Sequence, residues 1–221
     1  GAFAHNKRIK FVKFASNSEL AILEEGAFEQ SSLEIISIPP HVTRISKRCF
    51  FECNSLKNIE IPENSELQAI EADAFSNTQI QSLYFPSSLV ELQEGWCEDL
   101  STLNTIKINE KNSNFQMYEN QFLLGKSTSE KVDFDVLIFS VRDIEIARIP
   151  TFIEILGSYS FSNCYNLQQF ELKTDSKIRK IESNAFKDSS IESIWIPPSL
   201  TEICDNSFSM CSKFKYIELS S

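Results

Sequence analysis

Glycine, histidine and long apolar runs are all scarce in this chain of 221 residues. With only five glycines it has no phosphate loop, no Gly-x-Gly-x-x-Gly fingerprint and no Gly-x-Ser-x-Gly nucleophile elbow. Its two histidines, His5 and His41, are not at metal-ligand spacing from each other or from a cysteine, and there is no Cys-x-x-Cys pair. Carboxylates such as Glu24-Glu25 lie on polar stretches, where charge is normally solvated. We therefore predict no metal, no cofactor and no enzyme activity.

Two further absences limit the partners. No apolar run approaches the roughly 18 residues of a membrane-spanning helix, so we predict no span in this segment, and no signal-peptide pattern is present. The chain has 21 Lys and Arg residues and 31 Asp and Glu residues, which gives a formal net charge of −10. Nucleic acid is not an expected partner, because phosphate-binding surfaces are rich in Lys and Arg.

Phenylalanine recurs at regular intervals along the chain. Successive anchors are separated by alternately 25 and 22 residues, with a cysteine in place of one phenylalanine. The anchors are Phe3, Phe28, Phe50, Phe75, Cys97, Phe122, Phe161, Phe186 and Phe208. A period of about 20 to 29 residues, with Leu or Ile at fixed offsets, is typical of a leucine-rich repeat solenoid. The sequence predicts about nine coils in a mainly parallel β solenoid, forming one domain over residues 1–221.

Each unit carries further apolar signatures at fixed offsets from its anchor. The pattern Leu-x-x-Ile-x-Ile-Pro occupies residues 33–39 and 56–62 and recurs with conservative changes at 80–86 and 191–197. Its alternation predicts a half-buried strand that the proline ends. A second apolar pair precedes each anchor by eight and five residues, and a small residue directly before most anchors predicts close packing. We expect three apolar corners and one short strand per coil.

One unit is longer than the others. Phe122 and Phe161 are 39 residues apart, which exceeds the expected 22 by 17. Apolar runs at 122–124 and 136–139 flank a polar run at 126–131. This pattern predicts a β-hairpin insertion over residues 122–140 with an exposed turn. The turn is a second candidate binding element, and a simple spacer is the alternative.

Two stretches carry a resemblance to a known family: Ile-Pro-Pro-Ser-Leu-Thr-Glu-Ile at 196–203 and Ser-Phe-Ser-Asn-Cys-Tyr-Asn-Leu at 160–167. They resemble the BspA-type leucine-rich repeat, and the likeness covers essentially the whole chain. The resemblance implies a surface-displayed or secreted protein of a host-associated bacterium or parasitic protist. Several proteins of this family act in adhesion. The family's glycine four residues before the anchor is kept only at Gly157, so that turn must tolerate side chains. Trp96-Cys97 replaces the usual Ala-Phe pair and conserves volume if the indole turns inward.

Six cysteines raise the question of disulfides. Cys53, Cys164 and Cys211 share one repeat position but never in adjacent coils. Coils two apart are separated by about 9 to 10 Å, whereas a disulfide needs Cα atoms within about 7 Å. We predict six buried or half-buried free thiols that act as small hydrophobes.

The residue between the last two apolar positions of each strand should point outward. Along the array these residues are Lys13, Ser37, Glu60, Tyr84, Lys107, Arg148, Glu171, Trp195 and Glu218. Outward aromatics commonly anchor protein interfaces, and Tyr216 flanks the same end. The candidate protein-binding residues are Glu60, Tyr84, Lys107, Arg148, Glu171, Trp195, Tyr216 and Glu218. The alternative is that cross-strand neighbours cover Tyr84 and Trp195 without any partner.

The leading hypothesis is a non-enzymatic adhesion or protein-interaction module of a cell-surface or secreted protein, binding host matrix or cell-surface proteins through the strand face. The strongest rival is an intracellular scaffold or receptor segment using the same face, which the free thiols favour. A glycan-acting enzyme is a third class, and self-association through apolar end coils is a fourth possibility. Because the chain opens inside a repeat and closes after a strand motif, we expect a fragment of a longer protein.

Overall fold

The computed structural model describes residues 1–15 and 17–219. These residues form a parallel β-solenoid of about nine turns without any helix, which confirms the predicted leucine-rich repeat fold. The chain divides into two compact units, Gly1–Asn114 and Phe115–Ser221, and each is described by itself. The assignment of one continuous domain over residues 1–221 stays a prediction.

Unit 1 is built from two rows of short strands. Its strands are β1 Phe11–Val12, β2 Ile22–Leu23, β3 Ile35–Ser37, β4 Arg44–Ile45, β5 Asn58–Glu60, β6 Ala69–Ile70, β7 Ser82–Phe85, β8 Glu91–Leu92 and β9 Thr105–Ile108. The first row forms two parallel sheets, β1-β3-β5 and β7-β9, and comes from the Leu-x-x-Ile-x-Ile-Pro signature. The second row is the parallel sheet β2-β4-β6-β8, which comes from the apolar pair before each anchor. Each coil thus has two strands where one was predicted.

Unit 2 repeats this plan and adds the insertion. Its strands are β10 Gln116–Tyr118, β11 Phe122–Gly125, β12 Val136–Ser140, β13 Ile146–Arg148, β14 Ile155–Leu156, β15 Gln169–Glu171, β16 Lys180–Ile181, β17 Ser193–Ile196, β18 Glu202–Ile203 and β19 Tyr216–Leu219. The first row is β13-β15 and β17-β19. The second row, β12-β14-β16-β18, is extended by antiparallel β10 and β11. The antiparallel pairing of β11 with β12 confirms the predicted hairpin.

The phenylalanine anchors form the core of each unit. In unit 1 the rings of Phe28 and Phe50 stack at 5.5 Å, and those of Phe50 and Phe75 at 5.9 Å. In unit 2 Phe161 and Phe186 stack at 5.2 Å. All five rings are buried. Burying a phenylalanine contributes roughly 1.5–3 kcal/mol, so this repeated column is a main source of stability in each unit.

Backbone hydrogen bonds join the coils beside these rings. The amide of Phe28 donates to the carbonyl of Cys49 at 2.8 Å, and the amide of Phe50 donates to that of Ala74 at 2.9 Å. The small residues before the anchors, Ala27, Cys49 and Ala74, are buried. A larger side chain there would push the coils apart, which explains the small residues that the sequence shows.

The turns around each anchor use left-handed backbone at two places, two residues before and two residues after the anchor. These residues are His5, Gly26, Gln30, Arg48, Glu52, Asp73, Asn77, Gly95 and Asp99 in unit 1, and Asn120, Tyr159, Asn163, Asn184, Asp188, Asn206 and Met210 in unit 2. Gly, Asn and Asp tolerate this conformation best, which accounts for their frequency at these positions.

The family's glycine position, four residues before the anchor, has a different role. At Gly157 an added Cβ would lie 3.1 Å from the carbonyl oxygen of Leu137, so glycine is needed there because two backbone segments approach closely. The Trp96-Cys97 pair fills its coil as expected, since Trp96 is buried and packs edge-on against Phe85 at 6.0 Å.

Candidate functional site

The outward positions of the first row follow the alternation of the strands. In β5, Ile59 is buried while Asn58 and Glu60 are exposed. In β7, Leu83 and Phe85 are buried, and Ser82 and Tyr84 face outward. Because a strand turns successive side chains to opposite faces, the buried leucines and isoleucines determine which polar and aromatic residues remain outside.

In unit 1 the structure brings Tyr84 and Lys107 side by side, since they are direct partners in the pairing of β7 with β9. Tyr84 is half-buried, and its hydroxyl accepts a hydrogen bond from Asn109 Nδ2 at 2.9 Å. Glu60 lies on β5 and accepts a hydrogen bond from the hydroxyl of Ser37. Tyr84 is therefore partly engaged within the protein, which favours the structural alternative at this position.

In unit 2 an ion pair occupies the β13–β15 part of the face. Arg148 Nε lies 3.1 Å from Glu171 Oε2, and the two residues are direct partners across the strands. Both side chains are well exposed, so this pair contributes about 0–1 kcal/mol to stability. Its charges remain accessible to a partner.

The β17–β19 pair carries the aromatic residues of unit 2. Trp195 lies opposite Glu218, and Tyr216 lies opposite the small Ser193. Trp195 is half-buried, and Tyr216 is 59% exposed. These aromatics are diagonal neighbours across the strands, a separation that large side chains can bridge. Trp195, Tyr216 and Glu218 thus form one mixed aromatic and acidic patch, which we call the β17–β19 patch.

Two exposed apolar residues on the first row were missed in the sequence. Phe11 and Ile35 are direct partners across β1 and β3, and Phe11 is 76% exposed. They lie two residues before Lys13 and Ser37, so the same alternation places them on the same outward face. The alternation that marks Lys13 and Ser37 also marks these two positions, one outward step earlier in the same strands.

The polar turn of the insertion is tied back to the protein. Lys131 Nζ bonds to Asp135 and lies 3.1 Å from Glu154 Oε2. Asp135 also accepts hydrogen bonds from the amide and hydroxyl of Ser127, at 2.8 and 2.6 Å. Burial raises the pKa of Asp135, but the hydrogen bonds from Lys131 and Ser127 outweigh it and hold this pKa below its usual value.

Glu154 extends this network to the next coil. It also receives a hydrogen bond from Arg179 Nε at 3.2 Å, and the bonds from Lys131 and Arg179 lower its pKa. The turn at residues 126–131 is thus held by charged hydrogen bonds, whereas the sequence predicted a turn that simply projects.

All six cysteines are free thiols, four of them buried and two half-buried. Burial raises the pKa of Cys49 and Cys53, so these thiols stay protonated and unreactive at neutral pH. Within the described residues, no group of three or more His, Cys, Asp or Glu side chains is arranged to hold a metal ion. Over residues 1–15 and 17–219 there is likewise no helix long and apolar enough to cross a membrane.

The two rows of parallel strands and the stacked phenylalanines define the chain as a leucine-rich repeat protein, a class that generally serves as protein-interaction modules. The model of the BspA type leucine rich repeat region matches residues 21–124 and 135–221 in six copies. The chain therefore belongs to the BspA-type leucine-rich repeat family. Residues 1–20 are outside the match, and residues 125–134, between the two matched stretches, are almost entirely the loop between β11 and β12.

Solved structures of bacterial proteins share this fold. The pneumococcal vaccine antigen PcpA is 21% identical with a TM-score of 0.77, over 94% of this chain and 56% of its own. A leucine-rich repeat protein from Eubacterium ventriosum is 17% identical with a TM-score of 0.73, over 93% and 59%. A leucine rich cell surface protein from Faecalibacterium prausnitzii is 19% identical with a TM-score of 0.63, over 100% and 75%.

The chain thus spans somewhat more than half the length of the first two structures. The comparison with curated proteins found no matching sequence.

Proposed function

We propose that the chain is a non-enzymatic adhesion module of a cell-surface protein, and that it binds a host matrix or cell-surface protein through the outward face of its first-row strands. The class of protein supports an interaction role, since leucine-rich repeat domains generally bind proteins. The fold is shared with a protein described as a cell surface protein of Faecalibacterium prausnitzii, which motivates the proposed location.

The β17–β19 patch is the observation that carries this proposal. Trp195 and Tyr216 present large aromatic surface on a strand pair whose backbone is fixed by parallel hydrogen bonds. Rigid aromatics lose little conformational entropy on binding and are enriched among the residues that dominate protein interfaces. Glu218 beside them supplies a carboxylate that a basic side chain of the partner can contact.

A capture experiment tests the proposal. The purified chain is immobilised and exposed to host extracellular-matrix and cell-surface proteins, and the captured protein is then titrated against variants. Trp195→Ala and Tyr216→Ala should each weaken binding by about tenfold or more. Tyr84→Ala reports on the first-row face of unit 1 in the same assay, and its effect should be smaller because its hydroxyl already bonds to Asn109.

The control is an aromatic of similar exposure outside the first-row face. Tyr165 is half exposed, and its hydroxyl bonds to Asp188 on a turn. Tyr165→Ala should leave the affinity unchanged. If the Trp195 and Tyr216 variants bind the captured protein as tightly as the unaltered chain, the first-row face of unit 2 is not the binding site.

A second candidate function is an intracellular scaffold or receptor segment that uses the same face. The six free thiols favour it, because reducing compartments preserve thiols. Labelling of intact source cells with a membrane-impermeant reagent distinguishes the two: labelled protein supports the surface location, and protein protected until the cells are lysed supports the intracellular one.

A further inference from the structure

Unit 2 contains an open cleft of about 520 Å³ beside the insertion. This volume falls in the range of about 300–1,000 Å³ that is typical of small-molecule sites. The cleft lies between β10, the loop before β12 and the segments that lead into β14 and β16. None of the first-row candidate residues lines it, so it is a separate feature of the surface.

One wall of the cleft is aromatic. Tyr118 and Phe152 pack edge to face with ring centres 5.8 Å apart, and Phe152 is 41% exposed. Phe134 is half-buried under the ammonium group of Lys126, which lies 5.2 Å from the ring centre. Three rings from three separate segments therefore converge on one space and leave part of their surface open to solvent.

The other wall is polar and its geometry is fixed. The carboxylate of Asp135 is buried and held by Lys131 and Ser127, and Lys131 also bonds to Glu154. Arg179 holds Glu154 from the other side. Because each of these charged groups has a partner within the protein, the wall presents hydrogen-bond donors and acceptors whose positions are set before any ligand arrives.

The charges of this region balance. The cations at the cleft and its bordering groups are Lys126, Lys131, Lys177 and Arg179, and the carboxylates are Glu119, Asp133, Asp135 and Glu154. A balanced set gives no net field that would draw in an anion or a cation. A purely apolar ligand is also disfavoured, because it would cover the charged groups without replacing the water bonded to them.

We propose that this cleft is a binding site for a neutral glycan. A sugar ring offers an apolar C–H face that can lie against the exposed ring of Phe152. Its hydroxyl groups both donate and accept hydrogen bonds, so they can donate to the carboxylates and accept from Lys177 and Gln116 at the rim. A sulfated or sialylated glycan would bring a negative charge whose desolvation this balanced set does not compensate, because Lys131 and Arg179 are already paired with carboxylates.

The test uses the whole chain and two sets of probes. An array of neutral hexose and N-acetylhexosamine oligosaccharides is compared with their sulfated and sialylated counterparts, and the best neutral probe is titrated by calorimetry. The neutral glycans should bind and the anionic ones should bind more weakly. Phe152→Ala should weaken binding of the neutral probe by about tenfold or more, as expected for removal of an aromatic anchor.

Phe11→Ala is the matched control, because Phe11 is an even more exposed phenylalanine in unit 1. It should bind the neutral probe as the unaltered chain does. Thermal melts establish that the variants are folded. If Phe152→Ala proves unfolded, the affinity of Lys177→Met for the neutral probe is measured instead. This variant removes a hydrogen-bond donor of the cleft without changing the aromatic wall, and it should also weaken binding.

Three results would overturn the proposal: no neutral glycan binds, the anionic glycans bind more tightly than the neutral ones, or the folded cleft variants bind the neutral probe as well as the control. The outcome is independent of the first-row face, because Phe152→Ala should not change the affinity for a captured protein partner.

Discussion

Replacing Phe50 with alanine should destabilise unit 1 more than any change at its surface. The ring is fully buried and lies between Phe28 and Phe75 in the stacked column, at 5.5 and 5.9 Å. Deleting a buried phenylalanine side chain costs about 3–5 kcal/mol, because the lost transfer free energy is added to the cost of the cavity. That is a large part of the roughly 5–15 kcal/mol that stabilises an ordinary domain.

Phe3 provides the matched control in the same column. Its ring stacks on Phe28 at 5.2 Å but is 45% exposed. Since about half of its surface is buried, Phe3→Ala should cost about 0.8–1.5 kcal/mol, half of the transfer free energy of roughly 1.5–3 kcal/mol for a fully buried phenylalanine. The difference between the two variants therefore measures the contribution of the closed column, with the chemistry of the substitution held constant.

Urea unfolding measures both losses. Trp96 is buried in unit 1 and the other tryptophan, Trp195, is in unit 2, so a Trp195→Phe background makes the fluorescence specific for unit 1. Each variant is compared in this background by its midpoint and slope. If Phe50→Ala costs less than about 1 kcal/mol, or no more than Phe3→Ala, the stacked column is not what stabilises the unit.

Two further predictions concern other features. Asp135→Asn should lower the free energy of unfolding at pH 7 by about 1–3 kcal/mol, because it removes a charged acceptor. The native pKa of Asp135 is held below its usual value, so this stabilisation is present above the unfolded pKa of about 3.9 and is lost as the pH falls through the native value. Unfolding curves of the two proteins should therefore converge below about pH 4, and a constant difference down to pH 2 would argue against the ionised carboxylate as the cause. Gly26→Ala should lower the free energy of unfolding by about 1–2 kcal/mol, measured by thermal or urea unfolding, because Gly26 has a φ of 60°. Gly125 has no positive φ, so Gly125→Ala tests steric crowding against Ile138 instead.

The sequence was sufficient for the repeat itself. Each anchor recurs with the same apolar neighbours, and Ile36, Ser37 and Ile38 alternate between apolar and polar as a half-buried strand requires. The insertion was visible for the same reason, because it broke a regular spacing. The alternation predicted that Trp195 and Glu218 share one face of the strands, and the two residues are direct partners across β17 and β19.

The second row of strands could not be predicted in the same way. Apart from β12, its members are two residues long, which is too short for any period to be recognised. Arg44–Ile45 is a strand only because the neighbouring coils supply backbone partners on both sides. The left-handed turn positions could not be predicted either, because some of them are occupied by residues such as Arg48 and Tyr159, which rarely adopt this conformation.

By itself, the sequence determined the class of fold, the buried column and the direction in which each first-row side chain points, because these depend on local periodicity repeated along the chain. Tertiary structure alone decided which of those side chains are engaged. The hydroxyl of Tyr84 accepts a hydrogen bond from Asn109, which lies 25 residues later in the chain, and Lys131 donates one to Glu154, which lies 23 residues later. Such contacts depend on how one coil lies on the next, and so does the cleft formed by Tyr118, Phe134 and Phe152.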